Sequence, residues 1–274
     1  MIFVTDKGRM ANNIFQYGHL YAWGREHGRK TMSMRFAYKY HHFHICHTPY
    51  HHFLTYVLAK YAAKWGLIPT VNFTDINSDY QQEQELMLKH RHILATGWCV
   101  RFPELFLKYK EEIRELFAFD EVVKAPVDQK LKPYQGHLKL GVHIRRGDYA
   151  TWCRGRYFYN DQQYLHAIQE FIRLHPDEEI DIFMCGNDPK LDKAFYQKHL
   201  GDKIHFPEGT PDEDFYLLSA CDYLIGAPST FTLVASMYKD TPLYWIIDPQ
   251  KSIDDKDFET FDILFRKFDD YFIP

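Results

Sequence analysis

Leu138-Lys139-Leu140-Gly141-Val142-His143-Ile144 reads as a β-strand, and Arg145-Arg146-Gly147-Asp148-Tyr149 follows it without a break. Side chains alternate between the two faces of a strand. Leu140, Val142 and Ile144 therefore share one face, and Gly141, His143 and Arg145 the other. Outward from this segment the chain alternates with short links. Helical spacing over 161–174 is followed by a strand pattern at 180–185, a helix at 188–200, a strand at 203–206 and a helix at 211–221. A strand at 223–225, a helix from about 230 and a strand at 243–247 complete the series. Strands alternating with helices imply βαβ units and a parallel sheet.

The first half is looser. A strand at 2–5 precedes a helix at 13–27 that Gly28 stops, and a strand at 31–34 comes next. An amphipathic stretch at 54–65 places Leu54, Leu58, Tyr61 and Trp65 on one face and ends at Gly66. Strands near Val71 and Ile93 and a helix at 103–117 finish this half. Residues 119–136 hold Pro126, Pro133 and Gly136 among few periodic apolar positions, and read as the linker. The expected fold class is α/β, with two Rossmann-like domains at 1–130 and 131–254 facing a ligand cleft at the carboxyl ends of their strands. A helical segment at 255–274 is expected to return to the first domain.

The 274 residues are 46% hydrophobic, enough for packed cores, and disorder is excluded. A net charge of −4 argues against a broad nucleic-acid footprint. The aromatic share of 17% suits stacking on sugars or bases, although large cores also consume such rings. The five cysteines are scattered and never in C-x-x-C spacing, which points to a reducing compartment, the cytoplasm. The amino-terminal residues carry no long apolar run before Lys7, so no secretory signal is expected. The longest run without Asp, Glu, Lys, Arg or His, 223–238, is shorter than the ~20 apolar residues of a spanning helix and contains Pro228. Any membrane association is expected to be peripheral, at the inner face.

Several segments carry chemistry. His143 and Arg145 would project together from the strand's carboxyl end, where a guanidinium can donate two parallel bonds to a phosphate. A structural ion-pair cluster of Arg145, Arg146 and Asp148 is the alternative. In Gly8-Arg9-Met10-Ala11-Asn12-Asn13, the glycine allows a tight turn and Asn12 or Asn13 can cap a helix; the dinucleotide fingerprint G-x-G-x-x-G is absent. Within Cys185-Gly186-Asn187-Asp188-Pro189, Asp188 and Pro189 fit a helix start, or a carboxylate placed to accept two bonds from a guanine edge. Ser229 and Thr230 offer two hydroxyls at a helix N-terminus, a phosphate seat or a plain cap. The run from His41 to His52 matches no ligand spacing and reads as an acceptor-side loop in preference to a zinc site. Asp212-Glu213-Asp214 has the form of a D-x-D metal motif, but Thr210-Pro211-Asp212-Glu213 reads as a capping box.

The element His143-Ile144-Arg145-Arg146-Gly147-Asp148 resembles that of the α-1,2-fucosyltransferases, glycosyltransferase family 11. So do Asn12-Asn13-Ile14-Phe15-Gln16-Tyr17, and Gly97-Trp98-Cys99-Val100-Arg101-Phe102 leading to Glu112-Ile113-Arg114-Glu115-Leu116-Phe117. The resemblance runs in order from Thr5 to about Asp248. It implies a GT-B-like fold that transfers L-fucose from GDP-β-L-fucose to a galactose-containing glycan, inverting at the anomeric carbon and without a metal or other cofactor. Carried over, Arg145 binds the β-phosphate, His143 and Asp188 lie at the guanosine with Asn187 beside them, and Ser229 and Thr230 face the pyrophosphate. Asn12 lies near the donor, Asp148 is the first candidate for the general base, and His44, Trp98 and Arg101 fall on the acceptor side. Another linkage, another GDP-sugar, or a non-catalytic nucleotide-sugar-binding protein are the competing readings. A membrane-anchor-free chain of this kind is expected to be bacterial. The first loop departs from the family's GGLGNQ at Arg9, Ala11 and Asn13, and Ala227-Pro228-Ser229-Thr230-Phe231-Thr232-Leu233 stands where NSSFSWW is usual.

Overall fold

The computed structural model describes residues 1–5, 7–186 and 188–272. The chain divides into two α/β units, Met1–Asp120 and Glu121–Pro274.

The first unit runs β1 (Ile2–Thr5), α1 (Met10–Glu26), β2 (Thr31–Ser33), α2 (Phe53–Lys64), β3 (Thr70–Asn72), α3 (Gln81–Lys89), β4 (Ile93–Thr96), α4 (Pro103–Lys108) and α5 (Lys110–Leu116). Its strands are parallel, in the order β2-β1-β4-β3, and Thr5 stands opposite Thr96. The loops after β1 and β4 are therefore neighbours. Helix α1 begins at Met10, so Asn12 and Asn13 lie inside its first turn and not at its cap, where Arg9 makes no side-chain bond. Buried amides hold the preceding turn instead. Gln16 donates to the carbonyls of Lys7 (2.7 Å) and Asn12 (2.8 Å), and Asn13 donates to that of Arg9 (2.9 Å). Gly8, at φ +88°, supplies the left-handed residue this turn needs. The helix expected at 103–117 is divided at Tyr109, and α3 had no expected counterpart.

The second unit runs α6 (Glu121–Leu131), β5 (Leu138–Ile144), α7 (Asp161–Leu174), β6 (Ile180–Gly186), α8 (Lys193–Leu200), β7 (Ile204–His205), α9 (Pro211–Ala220), β8 (Tyr223–Gly226), α10 (Thr230–Met237), β9 (Leu243–Trp245), α11 (Phe261–Arg266) and α12 (Phe268–Phe272). Its parallel order is β7-β6-β5-β8-β9, with β5 at the centre, the doubly wound pattern. Leu140, Val142 and Ile144 enter the core with the α7 stripe of Tyr164, Ile168 and Phe171. On the opposite face a Cβ at Gly141 would come within 2.7 Å of Leu224 and 2.9 Å of Leu218, so glycine allows α9 to lie close on the sheet.

Two expectations change here. The segment 119–136 is largely helix α6, whose Val123 and Val127 are buried. Its neighbour is α9, reached also by the 2.9 Å bond from Tyr216 to Asp128 and the 3.1 Å ion pair of Lys130 with Glu213. Tertiary packing outweighs the breaking tendency of Pro126, and the boundary falls at 120, not 130. The C-terminal segment belongs to the second unit, not the first. The ring of Trp245 lies 6.2 Å from Phe268 and 5.2 Å from Tyr271, and Tyr157 donates to the Tyr271 carbonyl.

Candidate active site

The carboxyl end of β5 gathers most of the predicted residues. His143 is buried, opposite Cys185 of β6 and Gly226 of β8, and its ring stacks on Phe231 at 4.6 Å. The backbone N–H of Arg145 donates to the Tyr164 hydroxyl (3.1 Å), whose burial raises its pKa to about 12. The Arg145 guanidinium rests 5.1 Å over the Tyr149 ring and donates from Nη2 to Asp148 (2.7 Å). Its Nε–H is buried and has no hydrogen-bond partner among the described residues. A buried donor without an acceptor is costly, and a ligand oxygen would satisfy it.

Arg146 serves a different end. Its Nε donates to the Tyr159 carbonyl (2.9 Å), Nη1 to Asp188 (3.0 Å) and Nη2 to Asp161 (2.6 Å), while Tyr196 adds a 2.9 Å bond to Asp161. Burial opposes its charge, but the two carboxylates outweigh burial and hold its pKa above the ordinary value. The expected single cluster is thus split: Arg145 pairs with Asp148, and Arg146 with Asp161 and Asp188.

Asp188 is no helix cap, because α8 starts at Lys193 behind Asp192. One of its oxygens accepts from Arg146 and the other from the Lys190 backbone N–H (2.9 Å). Burial opposes its ionisation, yet these two bonds hold its pKa below the ordinary carboxylate value. Asp188 lines a cavity of about 370 Å³ with Cys185, Gly186, Phe206, Gly209 and Asp214. Asp214 was unforeseen there. Burial raises its carboxyl to about 6, against a counteracting bond from the Cys185 thiol. Asn187 lies outside the described residues. Thr210 caps α9 by accepting from Glu213 N–H, but the Glu213 carboxylate turns to Lys130 and does not close a capping box.

Ser229 is buried and caps α10, accepting from Thr232 N–H at 3.2 Å. Thr232 is fixed in turn by the Trp245 indole at 2.9 Å. Thr230, half-buried, is the first residue of that helix, next to His143's partner Phe231.

In the first unit, the Asn12 side chain lies against Gly8, where a Cβ would collide with it. Arg101 and Trp98 come together after β4. The guanidinium lies 4.9 Å from the Phe15 ring and 5.2 Å from the Trp98 ring, and donates to the Trp98 carbonyl (2.8 Å). His44 is exposed in a separate turn, so it does not join them. Two other histidines near it have structural roles: His47 bonds Asp120 at 2.9 Å, and buried His51 accepts from Ser33 N–H at 3.2 Å. Among the described residues no three His, Cys, Asp or Glu side chains converge as a metal site would require.

The model of glycosyl transferase family 11 matches residues 1–261. The chain belongs to that family. Among similar proteins of this family 11 chain, galactoside alpha-(1,2)-fucosyltransferase 1 of Bos taurus is 25% identical over 83% of the chain and 63% of its own length. Galactoside alpha-(1,2)-fucosyltransferase 2 of Gorilla gorilla gorilla is 24% identical over 84% of the chain and 66% of its own length. The family 11 chain thus spans slightly less than two thirds of these curated relatives. In fold it is similar to Arabidopsis thaliana FUT1 R284K in complex with GDP, at 13% identity and a TM-score of 0.61, covering 90% of this chain and 71% of that one. The α/β architecture with two parallel sheets is the GT-B-like one. Among the described residues, no helix of this family 11 chain is long and apolar enough to cross a membrane.

Proposed function

We propose that this protein transfers L-fucose from GDP-β-L-fucose to a hydroxyl of a galactose-containing glycan, forming an α-1,2 linkage. The observation that carries the reading is the buried, unpartnered Nε–H of half-buried Arg145 at the end of the central strand, two residues beyond His143, whose ring stacks on Phe231 of α10. A diphosphate oxygen there would satisfy that donor and meet the positive end of a helix. The base would occupy the cavity lined by Asp188 and Asp214. The family, and relatives whose names give galactoside alpha-(1,2)-fucosyl transfer, support the choice of sugar and linkage.

In the reaction, the acceptor oxygen attacks C1 of the fucose while the bond from C1 to the β-phosphate oxygen breaks. The electron pair leaves on GDP, and the β-linked donor gives an α-linked product. Charge grows on the departing diphosphate, and in this reading the Arg145 guanidinium stabilises it and no metal is required. Asp148, held beside Arg145, is assigned as the acceptor of the sugar hydroxyl proton.

Calorimetric titration with GDP, UDP and GDP-fucose tests the donor, with GDP and GDP-fucose binding and UDP not. Tighter binding of UDP than of GDP refutes the donor assignment. Linkage analysis of the product from galactose-terminated acceptors tests the rest, in EDTA as well as with Mn²⁺. Strict dependence on the metal, or a linkage other than α-1,2, overturns the corresponding part.

A further inference from the structure

Helix α2 is built inside out. Its one fully buried residue is the small Ala59, which meets Phe3, Met32 and Met34 in a minor core cluster. Its large apolar residues face water: Leu54 and Leu58 are each 63% exposed, and Trp65, just beyond its end, is 69% exposed. Tyr61 continues the same stripe and Leu67 extends it past the turn at Gly66, 72% exposed. An amphipathic helix normally turns such a stripe to the core. Exposed apolar patches of this kind mark interaction sites.

The surroundings select the partner. Asp and Glu are absent from residues 27–74, which carry Arg29, Lys30, Arg35, Lys39, Lys60 and Lys64, although the whole chain has a net charge of −4. Lys30, Lys39, Lys60 and Lys64 are exposed, and among the described residues none of the four forms an ion pair. Lys60 and Lys64 flank the stripe on α2 itself, their ammonium groups 5.7 Å and 6.0 Å from the rings of Tyr56 and Tyr61. The rings of Tyr38 and Tyr56, 4.6 Å apart, bring the segment holding Arg35 and Lys39 against the same helix. Leu, Trp and Tyr on one face with lysines at its border are the composition of a helix lying in a lipid interface. A second copy of this chain is disfavoured, because a two-fold contact would set this cationic patch against itself.

We propose that α2, with Trp65 and Leu67, docks the protein on an anionic lipid surface. The apolar stripe enters the boundary between headgroups and acyl chains, and Lys39, Lys60 and Lys64 pair with anionic headgroups. This stands apart from the transfer reaction and holds whether or not that reading does.

Co-sedimentation of the whole protein with phosphatidylcholine vesicles, with and without phosphatidylglycerol, tests it. Binding to the anionic vesicles, weakened by high salt and absent from the neutral ones, is expected. The double variant Leu58→Glu/Trp65→Glu and, separately, Lys60→Glu/Lys64→Glu should each lower that binding by on the order of tenfold or more. Because all four side chains are exposed, the melting temperature should stay that of the parent, which separates lost docking from lost folding. No binding to anionic vesicles overturns the proposal. So does binding that the variants leave unchanged, or a dimer at micromolar concentration that Leu58→Glu/Trp65→Glu abolishes.

Discussion

Tyr149 donates a 2.6 Å hydrogen bond from its hydroxyl to the Pro228 carbonyl, tying the turn after β5 to the turn after β8. The same ring carries the Arg145 guanidinium on its face. One side chain therefore fixes both the candidate charge stabiliser and the approach to α10. Tyr149→Phe keeps the ring and loses the buried bond, which should cost about 1–2 kcal/mol in denaturant unfolding and change GDP affinity little. Tyr149→Ala also removes the support under Arg145, so its GDP affinity by calorimetry should fall well below that of the Phe variant.

The neighbouring arginines should separate cleanly. Arg145→Ala removes a group with a single carboxylate partner, and is expected to leave the melting temperature within a few degrees while kcat falls by about 10²–10³. Near-normal turnover would remove Arg145 from the mechanism. Arg146→Ala strands Asp161 and Asp188 with no counter-charge in the same cluster. It should cost about 3–5 kcal/mol of folding stability.

His51 gives a pH signature. Burial lowers its pKa to about 4, where Ser33 N–H and Thr48 hold the ring neutral. Its folded value lies below that of the unfolded chain, so the folded state resists protonation. Its contribution is complete above about pH 6.5 and is lost as pH falls toward 4, by up to about 3 kcal/mol. Denaturation of His51→Gln across this range should show a flatter decline than the parent.

Much of the second unit was legible because its signals are local. The alternation through Leu140, Val142 and Ile144 needs only neighbouring residues to separate core from site, and Thr210 caps a helix within three positions. What sequence could not supply depends on distant partners. Arg146 finds Asp188 forty-two positions away. Helix α6 hid behind Pro126, because its stabilising neighbour α9 lies far along the chain. The stripe on α2 was visible as a period, but periodicity does not say whether a face turns to core or water. In sequence Asp214 is one of three acidic residues at a helix start, and its burial beside Cys185 arises only when β6 and α9 meet.

Asp214 yields the last prediction. Burial raises its carboxyl to about 6, above the value near 4 of an unfolded chain. The folded state thus holds this proton more tightly than the unfolded one, and the contribution to stability is complete below about pH 4. It is lost as pH rises toward and through 6, where a charge must be carried in a partly desolvated pocket. Asp214→Asn keeps an oxygen that can accept from the Cys185 thiol and removes that charge. The melting temperature of the variant minus that of the parent should therefore grow between pH 4 and pH 7 and level off above. A difference independent of pH would mean that Asp214 is already ionised and paired in the folded protein. Saturating GDP should change this profile, because a base seated in the cavity would alter the surroundings of the same carboxyl.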